Sequence, residues 1–303
     1  MNSTYILLAI VILSAAKPPS SKAGGPITEP KMTTTAASEP TAIDIFHAES
    51  YYTLSSAFHD KRLGRGDSSD TDITYDHRFH IKDNWYFRTG VEYERFSFGG
   101  DANGLPSQLQ SASATLALEY MVENHAGVGI EIHPGYYFQN RISSDAFDVP
   151  WRIFTTVPIK DRKCYIVIGA AGSLYYNPAV LPVGGVIWIL NDKVHVEGVF
   201  PKPAIVYNPN QQWEFRLGGE VDGGAYRTDS LATVGGNIRL NNAVVQYLEY
   251  RAGVKATWSG IKHVDLCVGA GYSFGREFDF YRAHFHENTD GGFYFQLGGN
   301  ISF

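Results

Sequence analysis

The last residues of the chain, GGFYFQLGGNISF (Gly291–Phe303), alternate between two kinds of side chain. One set is apolar apart from one glycine: Phe303, Ile301, Gly299, Leu297, Phe295 and Phe293. The intervening set is mostly polar or small: Ser302, Asn300, Gly298, Gln296, Tyr294 and Gly292. A period of two residues is typical of a β-strand whose two faces meet different surroundings. The stretch therefore predicts an amphipathic strand that ends on an aromatic residue.

The same alternation recurs along most of the chain, and no segment has a convincing helical period. One example is the apolar series Leu248, Tyr250, Ala252, Val254, Ala256 and Trp258, which alternates with Glu249, Arg251, Gly253, Lys255 and Thr257. Aromatic residues make up 14% of the chain, and its 31 glycines suit tight turns and crowded walls. Short polar turns alternate with longer polar loops, one of which is expected at Asp60–Asp70. We therefore expect an all-β chain that forms a single antiparallel transmembrane β-barrel with meander topology.

The final strand resembles the closing strand of bacterial outer-membrane β-barrels, which the barrel-insertion machinery recognises. This resemblance implies that Phe303 belongs to an insertion signal, that lipid contacts the apolar face, and that the protein resides in the outer membrane of a diderm (Gram-negative-type) bacterium. The mean hydropathy of −0.18 is compatible with this location because half of each barrel strand faces a polar lumen. A secreted β-sandwich or lipocalin-like cup is an alternative, but it conflicts with the many outward aromatic residues.

The amino-terminal region differs in composition from the remainder. The run ILLAIVILSAA (Ile6–Ala16) is apolar but too short to span a bilayer, and small residues follow it. It predicts a secretory signal peptide over residues 1–23. The next segment is rich in Pro, Ser, Thr, Gly and Ala, so it predicts a disordered periplasmic linker over residues 24–42. The barrel is expected over residues 43–303.

The number of strands depends on the segment VHVEGVFPKPAIVY (Val194–Tyr207). Bacterial single-chain barrels have an even number of strands. Pro201 and Pro203 cannot donate ladder hydrogen bonds, so they mark a kink, an edge or a tiny hairpin. A hairpin here gives fourteen strands, whereas loss of a doubtful strand elsewhere gives twelve. We expect about twelve strands, within a range of ten to fourteen.

Three segments resemble a family of bacterial outer-membrane barrel proteins that is known only as a domain of unknown function. These segments are FPKPAIVYNPNQQW (Phe200–Trp213), LEYRAGV (Leu248–Val254) and GYSFGREFDFYRA (Gly271–Ala283). The resemblance covers roughly the second half of the chain. It implies an outer-membrane-type barrel, and it brings no activity, cofactor or catalytic residue to this sequence.

The polar face of the strands supplies the candidate functional residues. With the apolar face turned to lipid, the lumen would be lined by Arg88, Glu92, Glu94, Glu119, Glu131, Glu214, Arg216, Glu220, Asp222, Glu249, Arg251, Lys255 and Asp265. Acids predominate, so an open lumen would favour cations. We expect a passive channel for small solutes or cations. In a narrow barrel these charges would instead pair across strands and plug the interior. A non-conducting barrel that acts through its surface loops, or as a structural element, is the alternative.

Other functional classes find little support in the sequence. The net charge of −6, without a basic cluster, argues against nucleic-acid binding. G-x-S-x-G occurs once, as GYSFG (Gly271–Gly275), but within an alternating strand rather than at the strand-to-helix turn of a nucleophile, and no phosphate-cradling glycine loop is present. The chain is therefore not expected to be an enzyme or to hold a cofactor or metal. Cys164 and Cys267 lack metal-ligand spacing, and alternation places them on opposite types of face.

Overall fold

The computed structural model describes residues 42–100, 105–120, 127–160, 163–229, 233–234 and 238–303. These residues form a closed antiparallel barrel with a meander-like order, as the alternation predicted, and its wall has fourteen strands. The predicted signal peptide and nearly all of the predicted linker lie outside the described residues. Within those residues, no helix is long and apolar enough to cross a membrane.

Three wall strands are each built from two consecutive pieces, β5 with β6, β7 with β8, and β18 with β19. A separate small hairpin, β14–β15, follows β13. The strands are β1 Ala42–Ala57, β2 Arg65–Lys82, β3 Trp85–Phe98, β4 Gln108–Tyr120, β5 Gly127–Ile132, β6 Gly135–Phe138, β7 Phe147–Asp148, β8 Trp151–Lys160, β9 Cys164–Gly172, β10 Val180–Asn191, β11 Val194–Val199, β12 Ala204–Asn210, β13 Trp213–Arg227, β14 Thr233–Val234, β15 Ile238–Arg239, β16 Val244–Ile261, β17 Val264–Phe280, β18 Phe285–Asn288 and β19 Gly292–Ser302. Three 3-10 turns lie at Lys61–Leu63, Ser144–Ala146 and Tyr281–Ala283.

The first and last strands close the barrel. β1 pairs antiparallel with both β2 and β19, in a register that sets Ile45 opposite Ser302 and Thr53 opposite Tyr294. The backbone of Asp44 and that of Phe303 exchange two hydrogen bonds, of 2.8 and 3.0 Å. The terminal strand recognised from the sequence is therefore one side of the closing seam, and neither β1 nor β19 is left with an open edge over the paired residues.

The strand count is fourteen rather than the favoured twelve, at the upper end of the expected range. The segment with two prolines makes the difference, because it forms the hairpin β11–β12. Its tip lies at Phe200–Pro203, where the proline carbonyls accept hydrogen bonds from β13: Val221 N donates to Pro201 and Gly219 N donates to Pro203. Proline is tolerated at this tip because its carbonyl still bonds although it has no N–H.

Side chains alternate between the outside and the inside of the wall. On β19, Phe293, Phe295 and Leu297 are 63%, 56% and 66% exposed, whereas the intervening Tyr294 and Gln296 are buried. Exposed tryptophans lie where β3 and β13 begin, at Trp85 and Trp213. We call this end of the barrel, which holds Phe303 and the short turns, the turn rim, and the opposite end the loop rim.

At the loop rim, the ends of β13 and β16 depart from this alternation. On the outer face of β13, Leu217 is 57% exposed but Ala225 is buried. Along Val244–Glu249 of β16, the side chains of both faces are buried. We call the paired segments Asp222–Arg227 and Val244–Glu249 the cap. Tyr175, Tyr176 and Leu181 cover its outer side by packing against Ala225 and Val244. The cap is therefore folded into the mouth of the barrel.

The tip of the cap reaches the opposite part of the wall. Arg227 pairs in parallel with Phe138 of β6, and Gln139 N donates a 3.0 Å hydrogen bond to the Arg227 carbonyl. The bend that allows this crossing includes Gly223, whose φ of +128° is a conformation that L side chains rarely adopt. A Cβ atom there would lie 2.0 Å from the Tyr247 carbonyl oxygen.

We expect Gly223→Ala to destabilise the barrel by about 1–3 kcal/mol, because alanine would combine an unfavourable φ with a backbone clash. The measurement is the midpoint of heat-induced change in gel mobility, with urea unfolding in detergent for the free energy. Gly219→Ala on the same strand is the matched control, since its Cβ would meet its nearest neighbour at an ordinary 3.5 Å. Equal midpoints for the two variants would contradict the strain assigned to Gly223.

Candidate functional site

The centre of the interior holds an arginine surrounded by carboxylates, which we call the Arg251 cluster. Arg251 on β16 donates to Glu249 on its own strand at 2.8 Å, approaches Asp222 on β13 at 3.2 Å and reaches Asp70 on β2 at 3.5 Å. Its guanidinium also lies 4.2 Å from the ring centroid of Tyr51. All four charged side chains are at most 2% exposed. Buried charges require such partners, so this cluster ties β16 to β2 across the lumen.

A second buried group, the Arg88 cluster, follows the wall from β2 to β8. Arg88 contacts Glu131 at 2.7 Å, Glu119 at 3.2 Å and Asp76 at 3.3 Å. Glu131 also accepts a 2.7 Å hydrogen bond from Arg152. These residues lie on five consecutive wall strands, and each occupies an inward position of its strand. The cluster therefore links neighbouring strands along the wall rather than across the lumen.

The loop-rim half of the interior is filled by aromatic and aliphatic side chains. Tyr226 and Tyr247 of the cap pack on Phe96 and Phe278 of the wall, with ring centroids 4.9–6.1 Å apart. The Tyr226 hydroxyl donates a 2.9 Å hydrogen bond to Glu94 on the opposite wall. A small cavity of about 10 Å³ beside Tyr226 has room for about one water molecule. In the part of the chain that the structure describes, this half of the lumen is thus closely packed.

Towards the turn rim the charged side chains become partly exposed. Arg216 contacts Glu197 and Glu214, and these three side chains are 19%, 15% and 36% exposed. Lys255 donates a 2.7 Å hydrogen bond to Glu49 and is 29% exposed. The interior therefore changes along its axis, from an apolar packed end through a buried ionic middle to a hydrated ionic end.

The structure distributes the thirteen lumen candidates over these layers. Those in or beside the two buried clusters and at the cap's contacts are Arg88, Glu92, Glu94, Glu119, Glu131, Asp222, Glu249 and Arg251. Glu220 lies beside the Arg251 cluster, where it accepts a hydrogen bond from Tyr51 and pairs with Lys202. Those nearer the turn rim are Glu214, Arg216, Lys255 and Asp265. Whether these residues line a passage stays a prediction.

Sequence reasoning missed several interior charges, of which the acids of β2 are the most important. Asp70, Asp72 and Asp76 are buried and alternate with the exposed Ile73 and Tyr75. The residues up to Asp70 were expected to form a loop, whereas β2 begins at Arg65. The alternation in SSDTDITYD (Ser68–Asp76) is the feature of the sequence that indicates these inward acids. His133 was also missed, because it lies at the break between β5 and β6.

Three carboxylates of this interior are close enough to share a cation. Oxygen atoms of Asp70, Glu94 and Asp222 lie within 4.8 Å of one another, and all three residues are buried. Hard divalent cations prefer such oxygen ligands. Arg251 already approaches two of the three carboxylates, so the arginine supplies the positive charge at this point.

Known proteins with a similar structure are outer-membrane barrels. The toluene transporter TodX of Pseudomonas putida is 9% identical, with a TM-score of 0.42 and coverage of 95% of each chain. An outer membrane channel from Pseudomonas putida F1 is 12% identical, with a TM-score of 0.47 and coverage of 86% of this chain and 95% of that one. The translocator domain of the autotransporter NalP from Neisseria meningitidis is 7% identical, with a TM-score of 0.39 and coverage of 87% and 89%. No protein-family model and no curated protein matches this chain.

We expect Arg251→Met to lower the free energy of unfolding by about 3–5 kcal/mol, because it leaves buried carboxylates without their cation. Urea unfolding in detergent, followed by tryptophan fluorescence, measures the loss. A change below 1 kcal/mol would show that the Arg251 cluster contributes little to the fold.

Arg62→Met provides the control, since it removes an equally well-formed ion pair from the loop between β1 and β2. Arg62 is 71% exposed and contacts Asp60, and its hydrogen bonds hold the pKa of the Asp60 carboxyl below its ordinary value. Water replaces an exposed partner at little cost, so we expect no measurable change in unfolding for this variant.

Proposed function

We propose that this chain is an outer-membrane channel that passes small solutes or cations through an acidic interior and that is closed in the conformation described here. The outer surface of the barrel supports a location in a membrane. Exposed aliphatic and aromatic side chains cover the wall, and tryptophans such as Trp85, Trp188 and Trp213 lie near the turn rim. An apolar band with an aromatic girdle is the surface that a lipid bilayer requires. Phe303, exposed at that rim, serves in this proposal as the insertion signal.

The observation that carries the channel proposal is the charge buried inside the wall. A fourteen-strand barrel is wider than the eight-strand barrels that their own side chains fill. Where stability alone is required, apolar packing is often as good as or better than a buried ionic network. The charged interior therefore favours a lumen that at times admits water and ions.

The sign of the buried charge supports cations as the solutes. Among the described residues, eleven buried acids face three buried arginines and one histidine. The acids are Glu49, Asp70, Asp72, Asp76, Glu92, Glu94, Glu131, Asp148, Asp222, Glu249 and Glu287. Fixed carboxylates in a pore attract cations and exclude anions. The hydrated acids near the turn rim, such as Glu214 and Glu197, extend this field towards that mouth.

The alternative is a non-conducting barrel that acts through its loops or as a structural element. The packed loop-rim half of the interior favours it. Tyr226, Tyr247 and Phe278 belong to one continuous buried cluster that also includes Leu63 from the loop between β1 and β2. The two functions differ in whether this cluster ever opens.

Planar-bilayer recording separates the two functions. We expect unitary conductance with a preference for K⁺ over Cl⁻, and a lower preference after Glu220→Gln or Glu249→Gln because each change removes an interior negative charge. Reversal potentials in a KCl gradient measure the selectivity. Glu277→Gln is the control, because Glu277 alternates with the inward Arg276 and Phe278 and so lies on the outer face of β17.

Protein that shows heat-modifiable mobility, and is therefore folded, but gives no unitary conductance would contradict the channel proposal and favour the non-conducting barrel. Unchanged selectivity in the Glu220 and Glu249 variants would instead remove these two carboxylates from the ion pathway.

A further inference from the structure

We propose that the cap, Asp222–Arg227 with Val244–Glu249, is the gate of the barrel and that it turns about a hinge at Gly223. The inference rests on the proposed channel function. The cap consists of the loop-rim ends of two wall strands, β13 and β16, but it lies in the lumen. The movement required is therefore a return of the ends of β13 and β16 towards the line of the wall, which would remove Tyr226 and Tyr247 from the centre of the barrel.

The first support is that one edge of the cap lacks a continuous ladder to the wall. The hairpin β11–β12 ends at Pro201–Pro203, where it bonds to Gly219 and Val221. Beyond Val221, the outer edge of β13 pairs with no other described strand until Arg227 meets Phe138. The remaining wall strands are held by ladders of many residue pairs. This edge of the cap is therefore held by contacts at its tip, such as those from Gln139 N to the Arg227 carbonyl and from Arg227 Nε to the Asp145 carbonyl, and not by a continuous ladder.

The second support is that two backbone irregularities lie at the same level of the sheet. Gly223 in β13 lies opposite Leu248 in β16. Close by on the other side of β16, the register with β17 shifts between Tyr250 and Arg251. The extra residue is Phe274, so the strand that bends at this bulge is β17. Together the glycine and the bulge mark a line across β13, β16 and β17 about which the cap can turn without breaking the ladder between β13 and β16.

The third support is the position of the polar contacts that hold the cap down. Several of them lie on the cap's inner side and join it to strands across the lumen. Tyr226 bonds to Glu94 on β3, and Thr53 on β1 donates a 3.0 Å hydrogen bond to Glu249. Asp222 and Glu249 share Arg251, which also faces Asp70. Because water can replace each of these contacts, hydration of the lumen would favour release of the cap.

The outer side of the cap is covered, so release of the cap requires a second movement. Its outer side is covered by Tyr175, Tyr176 and Leu181, which belong to the connection between β9 and β10 and to the start of β10 itself. Arg227 contacts this cover through the Tyr175 ring, at 5.1 Å from the centroid. An outward turn of the cap therefore displaces this connection, which makes the β9–β10 connection the second moving part.

A reversible cross-link tests the gate. In a Cys164→Ser, Cys267→Ser background, Phe138→Cys with Arg227→Cys places two thiols on directly paired positions. Neighbouring strands are about 4.8 Å apart, within the Cα separation that a disulfide spans. We expect oxidation to reduce mean bilayer current at least tenfold and dithiothreitol to restore it. Hydrogen–deuterium exchange of the cap peptides gives a second readout, and we expect the cross-link to slow it at least tenfold.

The control cross-link leaves the cap free. In Cys164→Ser with Thr257→Cys, the new thiol lies opposite the native Cys267 within the ladder of β16 and β17. This disulfide should change neither the current nor the exchange of the cap. Because both cross-links add one disulfide to the same barrel, the comparison separates closure of the gate from general stiffening.

The two readouts distinguish failure of the gate from failure of the channel. A cross-linked cap that still conducts at the uncross-linked level would overturn the gate. If no variant conducts, the channel proposal fails, and exchange alone decides on the cap: selective slowing by the Phe138–Arg227 cross-link would support a moving cap, whereas equal exchange in both cross-linked proteins would overturn it.

Discussion

Closure of the sheet through β1 and β19 is the constraint on which the rest of this structure depends. A backbone that faces an apolar surrounding must satisfy its hydrogen bonds within the sheet, and a sheet does this completely only when its two edges meet. The register from Ile45–Ser302 to Thr53–Tyr294 provides that meeting. Once this register is set, one face of every wall strand points outwards and the other inwards. All wall strands therefore share the same outer environment and the same lumen.

The inner face then has to be filled, and the chain fills its two ends differently. At the loop rim, the barrel folds part of its own wall inwards as the cap, and aromatic side chains pack there. In the middle, Arg251 and Arg88 organise the carboxylates that the inward positions supply. At the turn rim, the charges are left partly in water. The same alternation thus produces an apolar, packed end and a charged, partly exposed end, because the inward side chains are of different types at the two ends.

The sequence was sufficient for much of this fold, since a period of two is a local signal. It predicted the antiparallel barrel and the strand that closes it. It was less reliable for Val194–Tyr207, where Pro201 and Pro203 allowed a kink as well as a hairpin. It was wrong about the start of β2, because polar residues such as Ser68 and Asp70 resemble a loop when the strand opposite them is unknown. The cap could not be predicted, since the alternation in Val244–Glu249 is the same whether that strand lies in the wall or inside the lumen.

The closing seam also has a consequence for the time course of folding. The residues that complete the barrel, near Asp44 and Phe303, lie at the two extremes of the barrel sequence, so their contact carries a large loop-closure entropy unless the intervening strands have already paired. Contacts between such distant residues are characteristic of slow folding. Until the last strand has been synthesised, β1 keeps an edge that can pair with another chain. The barrel therefore passes through a stage in which that edge is open, and pairing of β1 with β19 ends this stage.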